Sequence, residues 1–344
     1  MSYQRILKPD PLAWCLRGLI GKASPSADLY VANPCSDLLV TGKLVRLTPT
    51  VFRAGDALVV VRHALDLEQP QTFSRLIYVI DDDWRAGLQS PALPMSYRFK
   101  MRWVEKRAAR SLEPLSDLIV TSSHVLEARL RKAWPTKAVA HIHPVWPEFS
   151  RPHSPPSDTI RLAYLSSWSH RKDFELVAGP LYEILEAHPD VSLTLTTQAG
   201  ATSRLASHPR VDLVPAMDWE AYKKWLAQQR FDIGIYCLHE TEFNLARSLN
   251  KIFEYTIAGA AVLVSDHLAE IVTSSFDQAV KCVGPTPGHW QRALEDLISN
   301  PKLRSDLHAR SIRAVEGAGI KEKTYEFWQD ALGPRQGQDK PAGG

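Results

Sequence analysis

The clearest chemistry in this chain comes from two adjacent cations, Arg171 and Lys172. They follow the strand-like run IRLAYLS and a polar turn, at the point where a helical pattern begins. The backbone N–H groups at such a helix start, together with two cations, suit a phosphate or a diphosphate. The alternative is that both side chains extend into solvent from a surface loop.

A second set of polar residues lies in the segment FDIGIYCLHETEFNLARSLNKIFEYTIAGAAVLVSD, residues 231–266. Ser248, Lys251 and Glu254 fall at i, i+3 and i+6 of a predicted helix and therefore share one edge. Lys251 would bring a third cation to the phosphate-binding edge. Glu254 would need another task there, such as accepting hydrogen bonds from ribose hydroxyls. An ion pair between Lys251 and Glu254 is the competing interpretation.

Three adjacent carboxylates, Asp81, Asp82 and Asp83, follow the apolar run RLIYVI and precede Trp84. At the carboxyl end of a strand they would face a cleft, where they could bind a substrate hydroxyl or take its proton. Metal binding and helix capping are the alternatives. His63 and His124 occupy similar βα turns, so either could orient the same substrate, although solvated histidines are common in such turns.

Buried parallel strands separated by helices would bring these groups together. Near-continuous apolar runs predict two such strands in the second half, and Gly259 is predicted to end the helix between them as its C′ residue. Open α/β sheets bind ligands beyond the carboxyl ends of their strands. The strands predicted from apolar runs are 28–31, 57–61, 74–80, 117–121, 233–238 and 260–264.

The length of 344 residues predicts two lobes, because one ordinary core does not extend over such a chain. The proline-rich stretch PVWPEFSRPHSPPS reads as a linker between them. The predicted division is a first Rossmann-like lobe at 1–148, a linker at 149–158, a second Rossmann-like lobe at 159–310, a C-terminal helix at 311–332 that returns to the first lobe, and a disordered tail at 333–344.

The composition excludes several classes of protein. Charged residues make up 23% and apolar residues 44%, which is typical of soluble globular proteins. No apolar run approaches the roughly 18 residues of a membrane helix, and the N-terminus lacks the apolar core of a secretory signal, so we expect a cytoplasmic protein. A net charge of +3 argues against nucleic acid as a partner. His141 and His143 alternate along a strand-like run without a third ligand nearby, which favours a structural role over zinc.

The segment YRFKMRWVEKRAARSL, residues 97–112, carries six cations and one glutamate. It also has an apolar stripe at helical spacing, so it could rest on an anionic membrane surface. An ordinary solvated basic face is the alternative.

Three stretches resemble GT-B glycosyltransferases, specifically the family 4-like (glycosyl transferases group 1) bacterial subgroup. LSSWSHRKDF is similar to that group's small-residue turn, which ends in His, a basic residue and Asp-Phe. EFNLARSLNKIFEYTIAGAAVLVSD is similar to its FN, basic-Ser, Lys and Glu-Tyr pattern before a glycine and an apolar strand. DLIVTSSHVLEARL with AHIHPVWPEF resembles, more loosely, the end of the acceptor lobe running into the hinge. The resemblance spans roughly residues 115–266.

This resemblance implies an α/β protein of GT-B architecture, with two Rossmann-like lobes whose parallel sheets face a central cleft. It implies transfer of a sugar from a nucleotide-diphosphate sugar to a glycan or lipid-linked acceptor, in bacterial surface polysaccharide or glycoconjugate synthesis. Retention of configuration, independence of metals and the absence of any cofactor besides the nucleotide-sugar co-substrate are also implied. The chain departs from the family at Ala246, where many members carry glutamate, and at Ser167 and Trp168, where glycine is common.

Site roles follow from the resemblance together with the strand-end positions. Glu254 is implied to hold the donor ribose, and Arg171 and Lys172 to hold its diphosphate. The full expectation is that Asp82, Arg171 and Lys172 are catalytic, that Ser167, His170, Phe243, Asn244, Ser248, Lys251 and Glu254 bind the donor, and that His63, Asp81, Asp83, Trp84 and His124 bind the acceptor.

Two other functions stay open at this point. A non-hydrolysing sugar-nucleotide epimerase would keep the same fold and nucleotide pocket. A catalytically silent GT-B sugar-binding or scaffold protein is the other candidate, and Ala246 is the feature that favours it. The residues do not identify the base, the sugar, the acceptor or the linkage.

Overall fold

A computed structural model of the protein describes residues 4–20, 24–147, 159–197, 203–276, 278–317 and 320–333. Two six-stranded sheets and one two-stranded sheet are flanked by helices. The linker predicted at 149–158 lies outside the described residues, and so does the predicted tail apart from Gly333. The strands are β1 (Arg5–Leu7), β2 (Val45–Thr48), β3 (Val51–Ala54), β4 (Ala57–Val61), β5 (Gln71–Phe73), β6 (Arg75–Ile80), β7 (Leu118–Thr121), β8 (Ala138–His141), β9 (Ile160–Tyr164), β10 (Val191–Thr196), β11 (Val211–Val214), β12 (Ile233–Tyr236), β13 (Ala261–Ser265) and β14 (Lys281–Val283).

The sheet of the first lobe has the order β2-β3-β4-β6-β7-β8. The four strands from β4 to β8 pair in parallel, whereas β2 and β3 add an antiparallel edge. Every residue of β4 is buried, as the apolar sequence ALVVV requires of a strand covered on both faces. The carboxyl ends of β4, β6 and β7 therefore meet along one edge.

The sheet of the second lobe is parallel throughout, in the order β11-β10-β9-β12-β13-β14. This is a doubly wound arrangement, and the direction of strand succession reverses between β9 and β12. Ligands bind such sheets beyond the carboxyl ends of the strands at that reversal. In this chain the reversal coincides with the two segments whose residues suggested a diphosphate and a ribose site.

Helices cover both sheets. A Schellman motif ends the helix after β12, because Gly259 has a φ of +91° and its N–H bonds Thr256 O at 3.1 Å, while Ala260 N bonds Tyr255 O at 3.0 Å. The predicted role of Gly259 is thus confirmed. The helices are Ala13–Leu16, Pro25–Ala27, Ser36–Val40, Trp84–Gln89, Met95–Lys100, Lys106–Leu115, His124–Ala133, Arg171–Ala187, Trp219–Ala227, Glu242–Leu245, Asn250–Ile257, Ala269–Phe276, Pro287–Ser299, Pro301–Gly317 and Ile320–Leu332, with π-helical turns at Asp28–Ala32 and Met101–Glu105.

One predicted strand is wrong. Residues 28–31 form the π-helical turn Asp28–Ala32. Ser24 caps the turn before it by accepting a bond from Ala27 N, and Pro25 stands at the first helical position, so the chain enters this segment already helical. A short apolar run is buried equally well as helix or strand, and its sequence does not distinguish the two.

The two lobes contact each other directly. Ser123 Oγ, after β7, donates to Ala246 O of the second lobe at 2.7 Å. Trp219 Nε1 donates to Asp28 Oδ2 at 2.7 Å. The C-terminal helix Ile320–Leu332 also reaches the first lobe, where Trp328 Nε1 donates to Tyr30 O at 2.7 Å. In the described part of the chain, no helix is long and apolar enough to cross a membrane.

Candidate functional site

Arg62 is the centre of a charged cluster at the strand ends of the first lobe. It follows β4 with a φ of +62°, a left-handed conformation that is unfavourable for a residue with a side chain. This conformation turns the guanidinium towards three carboxylates. Nη2 lies 2.6 Å from Glu105 Oε1 and 3.3 Å from Asp82 Oδ2, and Nε lies 3.3 Å from Asp81 Oδ1.

Asp82 connects this cluster to the second lobe. Its Oδ1 lies 3.4 Å from Arg247 Nη1, and its Oδ2 accepts a bond from the Tyr97 hydroxyl at 3.0 Å. The guanidinium of Arg247 also lies over the ring of Phe243, 4.9 Å from the centroid. Arg247 comes from the loop between Glu242–Leu245 and Asn250–Ile257, so one ion pair joins the two sheet edges across the cleft.

Arg247 continues the chain of contacts to His170, at the start of the helix Arg171–Ala187. Its Nη2 lies 3.0 Å from His170 Nε2, and His170 Nδ1 lies 2.9 Å from Asp173 Oδ2. A guanidinium only donates, so His170 Nε2 must accept and Nδ1 must carry the hydrogen that Asp173 receives. Burial and the charge of Arg247 lower the pKa of His170 against the opposing effect of Asp173, which agrees with a neutral ring.

Asp173 fixes the far end of this chain. It is 2% exposed, and its Oδ1 accepts bonds from His239 N at 2.8 Å and from the Asn244 amide at 3.3 Å. The loop after β12 is thereby tied to the helix after β9, the two elements that flank the strand reversal.

Asp81 and Asp82, the two aspartates beside Arg62, differ in proton affinity. Burial raises the pKa of Asp81, Arg62 opposes this only in part, and the charge of Asp82 raises it further. For Asp82 burial is outweighed by Arg247, Arg62 and the Tyr97 hydroxyl, so its pKa is lowered. Among the described residues no donor bonds Asp81 Oδ1 within hydrogen-bond geometry, although Ser26 Oγ bonds Oδ2. Asp81 is thus the better proton acceptor of the pair.

Glu254 is paired within its own lobe. It is 2% exposed, and Lys251 Nζ lies 2.8 Å from Oε1 and 2.7 Å from Oε2. The Tyr222 hydroxyl bonds Oε1 as well. The ion pair considered in the sequence is therefore present. A ribose would therefore reach Glu254 only by displacing Lys251 and Tyr222. The nearby cavity lined by Lys251, Ser166 and His170 measures about 10 Å³, and Glu254 does not line it.

The predicted diphosphate cations lie at the rim of the cleft. Arg171 and Lys172 are exposed. The Arg171 guanidinium lies 4.8 Å from the Trp168 ring centroid, and Lys172 Nζ donates to Pro91 O of the first lobe at 2.6 Å. Ser167 is also exposed, with its hydroxyl 2.8 Å from that of Ser169. Arg247 and His170 contact each other at 3.0 Å, whereas the roles of Arg171 and Lys172 stay predictions.

The other residues expected to bind the donor, Phe243, Asn244 and Ser248, make packing contacts and hydrogen bonds within the protein. Phe243 is 1% exposed and packs with Leu93 and Met101 of the first lobe. Asn244 is equally buried and holds Asp173, as described above. The carbonyl of Ser248 accepts a bond from the Tyr236 hydroxyl at 3.2 Å, and the helix itself begins after it, at Asn250. Phe243 and Asn244 thus act on the packing around the candidate site in this conformation.

On the acceptor side, Asp83 and Trp84 point away from Arg62. Asp83 caps the helix Trp84–Gln89 through bonds from Arg85 N and Ala86 N, and its other oxygen lies 2.8 Å from Arg129. Trp84 Nε1 donates to the buried Glu113 at 3.2 Å. Helix capping, one of the interpretations considered for this motif, therefore describes Asp83, while Asp81 and Asp82 face the cluster.

The two turn histidines have different surroundings: the charges of Glu105 and Arg62 act on His63, whereas His124 lies against another histidine. His63 is 7% exposed, and burial lowers its pKa to about 4. The ring of His124 lies 4.0 Å from that of His141, which is 4.7 Å from that of His143, and His143 in turn packs on Phe253 of the second lobe. The described residues contain no group of three His, Cys, Asp or Glu side chains that could hold a metal ion.

Sequence reasoning missed Arg62 and Arg247 as site residues. Both carried a signal: Arg247 is the basic residue of the basic-Ser pattern, and Arg62 directly follows a buried strand. Their importance depends on carboxylates 19 or more positions away, as in the pair of Arg62 with Asp81, and such a distance in sequence hides the contact.

A scan against protein-family models found no match, and a search of curated proteins also found none. Solved structures do match. Sucrose-phosphate synthase from Thermosynechococcus elongatus is similar with a TM-score of 0.51 and 16% identity, over 75% of this chain and 68% of that one. TarM from S. aureus, in complex with fondaparinux, alpha-GlcNAc-glycerol and UDP, is similar with a TM-score of 0.55 and 9% identity. The match covers 76% of this chain and 51% of TarM. WaaG, a glycosyltransferase involved in lipopolysaccharide biosynthesis, is similar with a TM-score of 0.51 and 12% identity, over 74% of this chain and 77% of WaaG.

These similarities show the fold. The chain has the two-lobed α/β architecture of GT-B glycosyltransferases, as predicted, with an antiparallel edge added to the first sheet. It spans about half the length of TarM.

Proposed function

We propose that this protein is a glycosyltransferase, which moves a sugar from a nucleotide-diphosphate sugar to a glycan or lipid-linked acceptor. The observation that carries the proposal is the chain of contacts Asp82–Arg247–His170–Asp173, which joins the carboxyl ends of both sheets across the cleft. In a GT-B fold the donor and acceptor would meet there. The low-identity structural neighbours support the fold on which this proposal rests, and the site supports the chemistry.

The donor diphosphate is proposed to bind at the start of the helix Arg171–Ala187. Its N-terminal N–H groups and the nearby Arg247 offer hydrogen bonds and positive charge to the leaving group. Arg171 and Lys172 at the rim would attract the anion, and Lys172 already spans the cleft to Pro91. Glu254 would exchange its bonds from Lys251 and Tyr222 for bonds from the ribose hydroxyls.

The acceptor hydroxyl is proposed to meet Asp81. The raised pKa of Asp81 supports proton acceptance, as does its Oδ1, which no described donor hydrogen-bonds although Arg62 Nε lies 3.3 Å away. Two guanidinium groups, those of Arg247 and Arg62, lower the pKa of Asp82 and keep it ionised. Asp82, predicted from the sequence as catalytic, would then act mainly by positioning Arg247. Cations at the diphosphate support metal-independent transfer. Retention of configuration and a role in bacterial surface polysaccharide or glycoconjugate synthesis, in the cytoplasm at the inner face of the membrane, rest on the family resemblance alone.

Thermal unfolding with UDP, GDP, CDP, ADP and TDP tests the donor site, on wild type, Glu254→Ala and the control Lys302→Ala on the exposed surface of the second lobe. A nucleotide at 100 times its Kd should add about 2.7 kcal/mol of stability. We expect one nucleotide to stabilise wild type and Lys302→Ala, and Glu254→Ala to lose the effect.

Donors carrying the selected base would then be assayed for nucleotide release with and without acceptor extracts. Acceptor-dependent release supports the transferase. Isomerisation of the donor without acceptor would indicate the epimerase instead, and stabilisation by none of the five nucleotides would rule out the proposed donor site.

A further inference from the structure

Residues 95–115 form one continuous helical stretch with two different faces. It consists of Met95–Lys100, the π-helical turn Met101–Glu105 and Lys106–Leu115. The inner face is buried against the first lobe through Met101, Val104, Glu105, Ala109, Leu112 and Glu113. The outer face carries the exposed side chains of Met95, Phe99, Arg102, Trp103 and Arg110.

The outer face carries an apolar stripe. Met95, Phe99 and Trp103 recur at i, i+4 and i+8 and are 78%, 53% and 41% exposed. The rings of Phe99 and Trp103 lie 6.1 Å apart. Single exposed apolar residues are common on soluble proteins, but three in line on one helix indicate an interaction surface.

A basic stripe runs beside it. Arg102, Lys106 and Arg110 also recur at i, i+4 and i+8, and Arg102 and Arg110 are exposed. Both carboxylates of the stretch are withdrawn to the buried face, where Glu105 pairs with Arg62 at 2.6 Å and Glu113 pairs with Arg85 at 2.6 Å. The outer face therefore has cations without an acidic residue of its own to neutralise them.

We propose that this outer face docks onto an anionic lipid bilayer, and that the acceptor is presented from that bilayer. Aromatic and thioether side chains beside cations match the interface of an anionic membrane, where apolar groups enter by about 5–10 Å and Arg or Lys reach the headgroups. Trp14, 80% exposed, lies on the helix Ala13–Leu16, which packs on Val104 of the same stretch. It adds a further aromatic group near this face.

The inner face ties docking to the candidate site. Tyr97 donates to Asp82 and Glu105 pairs with Arg62, so the stretch that would lie on the membrane is also a wall of the acceptor side of the cleft. An acceptor anchored in lipid would reach the cleft along this wall. The acceptor class rests on the proposed function, whereas the docking surface does not.

Co-sedimentation with vesicles tests the surface. The full chain would be incubated with phosphatidylcholine vesicles, with and without about one-third phosphatidylglycerol. Two variants remove the stripes separately, Phe99→Ala/Trp103→Ala and Arg102→Gln/Lys106→Gln/Arg110→Gln. The controls are Val40→Ala, an 87% exposed apolar residue elsewhere, and Lys302→Gln.

We expect wild type and both controls to bind the anionic vesicles, and each stripe variant to partition at least tenfold less. Absence of wild-type binding to anionic vesicles, or equal losses in the controls, would overturn the proposal. Binding to a short duplex RNA that survives in the aromatic variant would also overturn it, in favour of a polyanion partner.

Nucleotide stabilisation measured without vesicles separates this proposal from the proposed function. Vesicle binding without nucleotide binding would leave the docking surface in place and remove the acceptor argument. Nucleotide binding without vesicle binding would remove the docking surface, and with it the bilayer-presented acceptor, and would leave the proposed donor site in place.

Discussion

Arg247 is the side chain on which the two halves of the cleft depend most directly. It reaches Asp82 in one lobe and His170, just before the helix Arg171–Ala187, in the other, and its side chain is 18% exposed. Its contact with Asp82 spans 165 positions, which explains why the sequence drew attention to the adjacent pair Arg171 and Lys172 instead. Spacing predicts neighbours within one element, but the docking of two lobes sets the contacts between them.

Replacing Arg247 with lysine should keep a positive charge but lose the fixed geometry that holds Asp82 and His170 together. We expect kcat to fall by about 100-fold, the effect of removing one preorganised donor from a site of developing charge. Steady-state kinetics with the identified donor measure this. Arg171→Ala is the matched control, since that guanidinium is exposed and lies over Trp168, and its effect should be smaller. Equal losses in the two variants would return the main role to Arg171.

Asp81→Asn should change the pH dependence of the reaction. A base must be deprotonated to accept a proton, so activity falls as the pH drops through its pKa, and burial raises that pKa for Asp81. We therefore expect wild-type kcat/KM to fall on the acidic side of its pH profile, with an apparent pKa above the usual range of carboxylates. The Asp81→Asn variant should lack this acidic fall, and its kcat/KM should be lower than that of wild type across the pH range. A limb that persists in Asp81→Asn and disappears in Asp82→Asn would assign the role to Asp82.

Several elements were predictable because their signals are local. The strand β4 was predicted to the residue from its apolar run, and the end of the helix Asn250–Ile257 from Gly259. The turn Asp28–Ala32 was not, since a short buried apolar segment carries no usable periodicity. The helix Glu242–Leu245 was not predicted from the sequence either. It is four residues long and depends on a cap by Thr241.

The Schellman motif gives a quantitative test at Gly259. Alanine there would hold a left-handed φ of +91°, and its Cβ would lie 3.4 Å from Phe231 O. We expect Gly259→Ala to lower the free energy of unfolding by about 1–2 kcal/mol. Gly179→Ala is the matched control, because that helical glycine has open space and ordinary φ, and alanine should stabilise it by about 0.5–1 kcal/mol. Urea unfolding measures both, and a neutral Gly259→Ala would contradict the motif's contribution.

The two-lobed architecture as a whole followed from chain length and from alternating strand and helix patterns, but the closeness of the lobes did not. Trp219 bonds Asp28 and Ser123 bonds Ala246 across the cleft, and the cavity beside Lys251 is about 10 Å³. The small second-lobe cavity beside Lys251 would admit a nucleotide only if Lys251 moved. None of these partners shares a pattern in the sequence, because each pair is set by how two finished sheets meet.

The histidines at the lobe junction make this closed form sensitive to acid. Their rings stack in the order His124, His141 and His143, and His143 packs on Phe253 of the other lobe. Burial, with the neighbouring histidines, lowers the pKa of His141 to about 3, and burial, with His124 and Lys323, lowers that of His143 to about 4. Glu127, 3.3 Å from His124, is the carboxylate that faces the group. Each lowered pKa means that the unfolded chain, with a value near 6.5, binds protons more readily than the folded one.

Stability should therefore be complete above pH 6.5 and should decline as the pH falls towards 4. At pH 5 each of the two half-buried rings is expected to cost about 1 kcal/mol, after allowance for solvent around it. Urea unfolding between pH 5 and 7.5 would show this as a fall in wild-type stability. In His141→Gln that fall should be smaller by about 1 kcal/mol, since the variant has one ring fewer to protonate. The control His289→Gln lies outside the cluster, in the second lobe, and its free energy of unfolding should change with pH as that of wild type does. If His141→Gln also followed wild type, the junction histidines would not control the acid response.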